Sequence, residues 1–318
     1  MVIRTTDEDV EALLLLPVDR PVTFAEVLDL DVSRRRLARL VDTGLVRRPF
    51  KGVYVSGAVP DTTETRLGVL RLVVPEDCVV TDRTASWVYA GERALAPNAH
   101  LVTPPLSVFC KPGHRLRNGL TDSGERRFHP RDLTTLDGLT LTTPLRTACD
   151  LGRLLTRDQA FAALDTLAAT GDFTPEELIA EVSRFKGYRG VVQLRTFVVL
   201  VDPRAESQGE SILRLRWYDA GLPRPECQVE VETPWGTAFR LDIAHPGLLL
   251  AAEYDGEAFH GPDRREHDAH RRTWLTGERD WILVVARREN VHGPAADVHA
   301  QLWNAWNVAE RRQLARPA

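Results

Sequence analysis

The sequence RLDIAHPGLLLAAEYDGEAFH, residues 240 to 260, decides the fold of the last third of this chain. Its apolar run is interrupted at His245-Pro246-Gly247, and proline and glycine punctuate chains at turns. We therefore expect two strands joined at these residues. A helix and a strand are predicted before this hairpin, and a helix and a strand after it. Together they indicate a mixed sheet.

Three carboxylates are spaced along the hairpin so that they can converge. Successive side chains of a strand point to opposite faces, so Leu241 and Ile243 are expected on one face of the first strand and Asp242 on the other. Glu253 and Asp255 share one face of the second strand for the same reason. If the turn holds an even number of residues, Asp242 lies on the same side of the hairpin as Glu253 and Asp255.

Carboxylates that lie close together in an apolar setting repel one another and are costly to desolvate. A divalent cation removes this cost, and magnesium binds through one or two carboxylates together with water and phosphate oxygens. The alternative is that the three acids face solvent on a half-exposed hairpin. The residues by themselves leave both interpretations open.

Asp242, the run Glu253-Tyr254-Asp255-Gly256 and His260 together resemble the core of the PD-(D/E)XK nuclease superfamily. The branch most similar to this sequence is that of the very-short-patch-repair (Vsr-like) endonucleases, and the resemblance covers roughly residues 200 to 307. Asp255 stands where the superfamily usually has a lysine, as is common in that branch. The resemblance implies hydrolysis of phosphodiester bonds with Mg²⁺ (or Mn²⁺) held by Asp242 and Glu253.

The same resemblance implies roles for three further residues. His260 would act as a general base, or as an acid to the leaving oxygen, because an unperturbed histidine titrates near neutrality. The alternative is that His260 is an ordinary loop residue. Asp255 would be a further metal ligand, or would orient Arg271 or Arg272.

Glu210 would be the helical acid that many members of the superfamily place beside the metal. The local sequence Ser207-Gln208-Gly209-Glu210 supports a second interpretation, because it matches a capping box at the start of a helix. In that case Glu210 satisfies only a backbone amide.

Residues 9 to 57 predict a helix, a short helix, another helix and a hairpin, which is the layout of a winged helix. Ser33 is a suitable N-cap for the third helix, and Gly44 a suitable stop. Basic side chains cluster on this helix, where Arg35 and Arg39 are expected on the outer face, and on the hairpin. They are Arg34, Arg35, Arg36, Arg39, Arg47, Arg48 and Lys51. This charge predicts contact with double-stranded DNA, and the alternatives are a solvated helix or a protein-binding winged helix.

The segment RLARLVDTGLVRR, residues 36 to 48, followed by Gly52-Val53-Tyr54, resembles the N-terminal winged helix of AbiEi-type antitoxins. TTPLRTACD, residues 142 to 150, is similar to the middle region of the same family. In type IV toxin–antitoxin pairs this antitoxin represses its own operon. The resemblance therefore implies DNA binding and a cognate toxin as a possible partner.

Composition sets the remaining limits. The chain has 318 residues and a net charge of −4, so any nucleic-acid footprint must be local. Its four cysteines, Cys78, Cys110, Cys149 and Cys227, have no metal-ligand spacing, which predicts free thiols in a reducing cytoplasm. No apolar run approaches the roughly 18 residues of a membrane span, so no membrane association is expected.

These observations predict an α/β multidomain chain. We expect a winged-helix DNA-binding domain over residues 1–58, an AbiEi-like α+β domain over 59–200 with a strand at 100–102, and a Vsr-like nuclease-fold domain of order αβββαβ over 201–318. The predicted function is a DNA-binding protein with an Mg²⁺-dependent endonuclease domain, in phage defence or DNA repair. The alternative is a non-enzymatic antitoxin or repressor whose nuclease fold is degenerate.

Overall fold

A computed structural model of the protein describes residues 6–94, 105–110, 121–256, 262–293 and 296–315. The chain divides into two compact units, Met1–Leu151 and Gly152–Ala318. The domain boundaries expected at residues 58 and 200 each fall inside one unit, and the three-domain division stays a prediction. The strand predicted at 100–102 lies outside the described residues.

The first part of unit 1 combines three helices with a three-stranded antiparallel sheet of order β1-β3-β2. Its elements are α1 (Asp7–Leu14), β1 (Val22–Thr23), α2 (Phe24–Asp29), α3 (Arg34–Asp42), β2 (Val46–Phe50) and β3 (Val53–Ser56). Ser33 caps α3 by accepting the Arg36 amide hydrogen bond at 3.3 Å. Gly44 follows the helix in the left-handed conformation that favours glycine. The predicted order of elements over residues 9 to 57 is confirmed.

The rest of unit 1 is built on a five-stranded sheet of order β6-β5-β4-β8-β7. Its elements are α4 (Thr63–Arg71), β4 (Cys78–Val80), α5 (Asp82–Ala90), β5 (Leu106–Cys110), β6 (Thr121–Glu125), β7 (Leu133–Leu136), β8 (Leu139–Thr142) and α6 (Pro144–Leu154), which continues into unit 2. Leu67, Leu70, Val80, Val108 and Leu141 are buried together in its core.

Cysteine usage in the structure differs from the expectation of four free thiols. Cys78 is disulfide-bonded, and it lies across the β4–β5 ladder from Cys110. Cys149 and Cys227 are buried and form no disulfide. The prediction is therefore wrong for Cys78, because spacing along the sequence does not report which strands lie side by side.

Unit 2 begins with helices that precede its β-sheet in the chain. They are α7 (Arg157–Ala168), α8 (Pro175–Glu181), α9 (Val191–Val198) and α10 (Gln208–Asp219). Arg214 on α10 donates to Asp165 on α7 at 2.7 and 2.6 Å, and both side chains are buried. Because a buried charge is costly without its partner, this ion pair joins α10 to the preceding helices.

A four-stranded mixed sheet of order β12-β11-β10-β9 forms the rest of unit 2. Its strands and helices are β9 (Glu226–Glu232), β10 (Ala238–His245), β11 (Leu250–Tyr254), α11 (Pro262–Gly277), β12 (Ile282–Ala286), α12 (Arg288–Val291) and α13 (Val298–Leu314). Strand β12 runs parallel to β11, and the other pairs are antiparallel. The predicted order of helix, three strands, helix and strand is confirmed from α10 to β12.

Two apolar clusters pack against this sheet. One contains Trp217 of α10, Leu250 and Leu302 of α13. The other contains Ala251 and Trp274 of α11. None of the helices in the described ranges is both long and apolar enough to span a bilayer.

Strict alternation along β10 ends at Asp242. Leu241 and Ile243 were expected on one face, but Leu241 packs in the Trp274 cluster and Ile243 in the Trp217 cluster. The two strands are joined by a turn at Pro246–Leu248, and Leu249 follows it in the left-handed conformation at φ 51°. A period-two pattern assumes regular strands, and this assumption fails at Asp242, opposite the left-handed Gln228 of β9.

Candidate functional site

The β10–β11 register brings the predicted carboxylates together. Ile243 pairs with Ala252 and Ala244 with Ala251, and continuing this register places Asp242 opposite Glu253. An open cavity of about 180 Å³ lies at this end of the hairpin. Its charged lining consists of Asp242, Glu253, Asp255, Asp268, Arg271 and Arg272. The three carboxylates predicted to converge therefore surround one cavity.

Asp242 lies where the β10–β11 ladder opens. The Tyr254 amide donates to the Asp242 carboxylate at 2.8 Å, in place of a backbone acceptor on β10. Burial, reinforced by the charges of Glu210 and Glu253 and opposed by this hydrogen bond, raises the pKa of Asp242 to about 7. The carboxyl group is thus held in a site that disfavours its charge.

Glu210 reaches this site from the first turn of α10. A Cβ atom on Gly209 would lie 2.2 Å from the Tyr254 ring, so only glycine permits this approach of the helix to β11. Ser207 accepts the Glu210 amide hydrogen bond at 3.1 Å, as a cap should. The Glu210 carboxylate accepts from the amide of Glu206 at 2.9 Å, not from that of Ser207, so the reciprocal half of the predicted capping box is wrong by one residue.

Glu210 is therefore both a capping group and a neighbour of Asp242. Burial, with a contribution from the charge of Glu206, raises the pKa of Glu210. The sequence suggested that Glu210 is either a helix cap or an acid beside the proposed metal site. One position allows both, because the charge of Glu210 also raises the pKa of Asp242.

Two arginines of α11 neutralise the other acids of the cavity. Arg271 donates to both oxygens of Glu253, one at 3.1 Å, and Glu253 is only 4% exposed. Arg272 donates to Asp255 at 3.1 Å. This hydrogen bond is consistent with the second role predicted for Asp255, the orientation of Arg271 or Arg272. Burial raises the pKa of Glu253, although the charge of Arg271 opposes this shift.

The donor set fits a cation bound by few protein ligands. Among the described residues no three His, Cys, Asp or Glu side chains are grouped to hold a metal ion. Asp242 and Glu253 supply two carboxylates, which is the number that magnesium uses with water and phosphate oxygens. The buried Oε1 of Gln228, beside Glu210, has no hydrogen-bond partner. A buried oxygen acceptor beside the Glu210 carboxylate is a chemically suitable ligand for a hard cation.

His260 lies outside the described residues, and its predicted role as base or acid stays a prediction. Two residues of the site carry no recognisable signal in the sequence. Gln228 is one of several polar residues in β9, and nothing local marks it. For Gly209 the sequence shows only a glycine in the first turn of a helix, where alanine is the better helix former. This does not indicate which residue the glycine packs against.

The basic residues of the N-terminal region divide into two groups. Arg36 and Arg39 bind the buried Asp9 of α1, Arg39 through Nε at 2.9 and 2.8 Å. Arg36 also pairs with Glu8. Arg47 donates to the Val59 carbonyl. The Arg39 side chain is 40% exposed, but it also pairs with Asp9, an acid 30 residues upstream that no local pattern in the sequence indicates.

The second group remains available to a ligand. Arg34, Arg35, Arg48 and Lys51 are exposed. Arg34 lies over the Phe24 ring at 5.1 Å and Arg48 over the Tyr54 ring at 5.9 Å, which steadies both guanidinium groups. Four of the seven predicted DNA-binding residues are thus exposed, two on α3 and two on the β2–β3 hairpin.

Comparison with known proteins identifies the N-terminal region first. Residues 19–57 match the family described as "Transcriptional regulator, AbiEi antitoxin". This match supports the resemblance to AbiEi-type antitoxins seen in the N-terminal sequence.

Most of the chain aligns with two proteins of Mycobacterium tuberculosis. It is 31% identical over 254 residues to "Uncharacterized protein Rv2248" of Mycobacterium tuberculosis strain H37Rv, and by the same measure to "Uncharacterized protein MT2308" of strain CDC 1551. Each alignment covers 80% of this chain and 89% of the relative. The chain belongs to the family of these two proteins.

Proposed function

We propose that this protein acts on DNA through two sites. The exposed basic surface of Arg34, Arg35, Arg48 and Lys51, on a winged helix, binds duplex DNA. A Vsr-like nuclease domain in unit 2 hydrolyses phosphodiester bonds with Mg²⁺. The observation that carries the catalytic half is that Asp242 and Glu253, from adjacent strands, line one cavity, while the charge of Glu210 on α10 acts on Asp242.

In this proposal Asp242 and Glu253 hold the cation, and Glu210 supports Asp242 from α10. Magnesium supplies positive charge to the phosphoryl oxygens and lowers the pKa of a bound water. Arg271 and Arg272 are the cationic groups of the cavity, and they orient a phosphate once it competes for their bonds with Glu253 and Asp255. His260 is the proposed proton carrier of the reaction, on sequence resemblance alone.

The test is a nicking assay of the full chain on supercoiled plasmid, with Mg²⁺ and with EDTA. We expect nicking only with Mg²⁺, and its loss in Asp242→Asn, which removes one charge of the metal site. Glu230→Gln is the matched control, because Glu230 is an exposed carboxylate on the neighbouring strand β9. Activity that persists in Asp242→Asn preparations would come from a contaminant and would defeat the proposal.

A second candidate function is a non-enzymatic AbiEi-like repressor or antitoxin. The match over residues 19–57 and the pairing of Glu253 with Arg271 favour it, because a neutralised acid site needs no cation. A cognate toxin is the partner that this candidate implies. Sequence-selective, salt-dependent DNA binding without nicking and without any response to Mg²⁺ would decide for the repressor.

A further inference from the structure

Gln228 lies across from Asp242 in a break of the sheet. Leu241 pairs with Val229 and Ile243 with Cys227, so Gln228 and Asp242 face each other between these pairs without ladder bonds of their own. The backbone of Gln228 has φ 55°. This left-handed conformation is unfavourable for a residue with a side chain, and residues held in this way cluster at functional sites.

The Gln228 side chain bridges to the acid on α10. Its Nε2 donates to the Glu210 carboxylate at 2.8 Å. Because a carboxylate accepts hydrogen bonds and does not donate them, the nitrogen of the amide must face Glu210. The other atom of the amide, Oε1, is then the acceptor that is buried without a partner in the described part of the chain. Buried polar atoms are rarely left in this state.

We propose that Gln228 belongs to the metal-binding set of unit 2, as a positioning residue and as a ligand. Its Nε2 holds Glu210 beside Asp242, and its Oε1 supplies a neutral oxygen to the coordination shell of a divalent cation. Amide oxygens are ordinary ligands of hard cations. A neutral donor also adds no further negative charge beside Glu210 and Asp242. This inference rests on the proposed magnesium site.

The test uses the full chain and Mn²⁺ alone as the probe, with calorimetric titration and metal-dependent melting as readouts. Gln228→Leu keeps the size of the side chain and removes both amide functions. We expect its affinity for Mn²⁺ to fall by roughly tenfold or more, as for other residues that orient metal ligands. Gln301→Leu is the matched control, because Gln301 also donates to a carboxylate, that of Asp297, from α13.

A second variant separates binding from folding. Gln228→Gly relieves the left-handed backbone, so its metal-free melting temperature should not fall, while its Mn²⁺ response should fall as in Gln228→Leu. If wild type responds to Mn²⁺ and both variants respond equally well, Gln228 has no part in the site although the site exists. If wild type itself shows no response, the magnesium site fails and this role fails with it.

Discussion

At the scale of single residues, Gly209 decides whether α10 can reach the acid cluster. The Tyr254 ring occupies the space in which a side chain at position 209 would lie. Helix propensity alone would favour alanine there by about 1 kcal/mol. Packing therefore opposes local preference at this position, and packing determines where Glu210 is placed.

We expect Gly209→Ala to lower the free energy of unfolding by about 1–2 kcal/mol, because displacing a packed ring commonly costs about 1–3 kcal/mol. Gly277→Ala is the control, since Gly277 ends α11 in open space and its backbone is compatible with alanine. That change should leave stability unchanged or raise it. Urea unfolding of both variants measures the difference, and equal stabilisation by both would contradict the contact with Tyr254.

Asp242 makes stability depend on pH. Its pKa is about 7 in the folded chain against 3.8 for an unperturbed aspartate. The folded state therefore binds a proton at Asp242 more tightly than the unfolded state does. The stabilisation that this proton binding gives is complete below about pH 4 and is lost as the pH rises through 7. Asp242→Asn should melt higher than wild type at pH 8 in EDTA, and the gap should close towards pH 5.

Differential scanning calorimetry at the two pH values checks this expectation. Glu230→Gln, which removes an exposed charge from β9, should show no such pH-dependent gap. A gap of the same size at pH 5 and pH 8 would show that Asp242 is not held in a desolvated, acidic neighbourhood.

At the scale of elements, α3 combines a structural role with the DNA-binding role proposed for its exposed arginines. Its capped start and apolar stripe were evident in the sequence, and Leu37 and Leu40 are buried as expected. The distribution of its arginines was not evident, because Asp9 on α1 binds Arg36 and Arg39. The pKa of Asp9 is lowered, chiefly by its hydrogen bond from Arg39, so this carboxylate stays ionised.

The exposed position of Arg35 and the pairing of Arg39 with Asp9 predict different effects when each arginine is replaced. Arg35→Ala should weaken duplex DNA binding and lower the slope of log affinity against log salt by about one unit, since one phosphate contact is lost. Its melting temperature should not change. Arg39→Ala should lower the melting temperature, because Asp9 is left buried with fewer partners. Mobility-shift titrations at several salt concentrations and thermal melts separate the two, and a stable Arg39→Ala that loses DNA binding would reverse the assignment.

At the scale of the whole molecule, the reactivity of the cysteines tests the structure of both units, because each unit contains at least one of them. Cys149 and Cys227 are buried and form no disulfide. Burial raises the pKa of Cys227 to about 12, so its reactive thiolate is not populated at neutral pH. Alkylation of the native protein should modify neither. Denaturation without reductant should expose both, while Cys78 should be modified only after reduction. Peptide mass spectrometry reads the result, and labelling of Cys78 without reductant would contradict its disulfide.

The sequence by itself determined the order of elements in the N-terminal region and from α10 to β12, the cap at Ser33 and the parity that unites Asp242 with Glu253. These features depend on periodicity and on neighbours within a few residues, so they are encoded locally. Tertiary structure alone decided that Arg39 binds Asp9, that α10 packs against Tyr254 at Gly209, and that Gln228 adopts a left-handed backbone within β9. Such contacts join distant segments, and their energies depend on burial and on charge partners that no local pattern specifies.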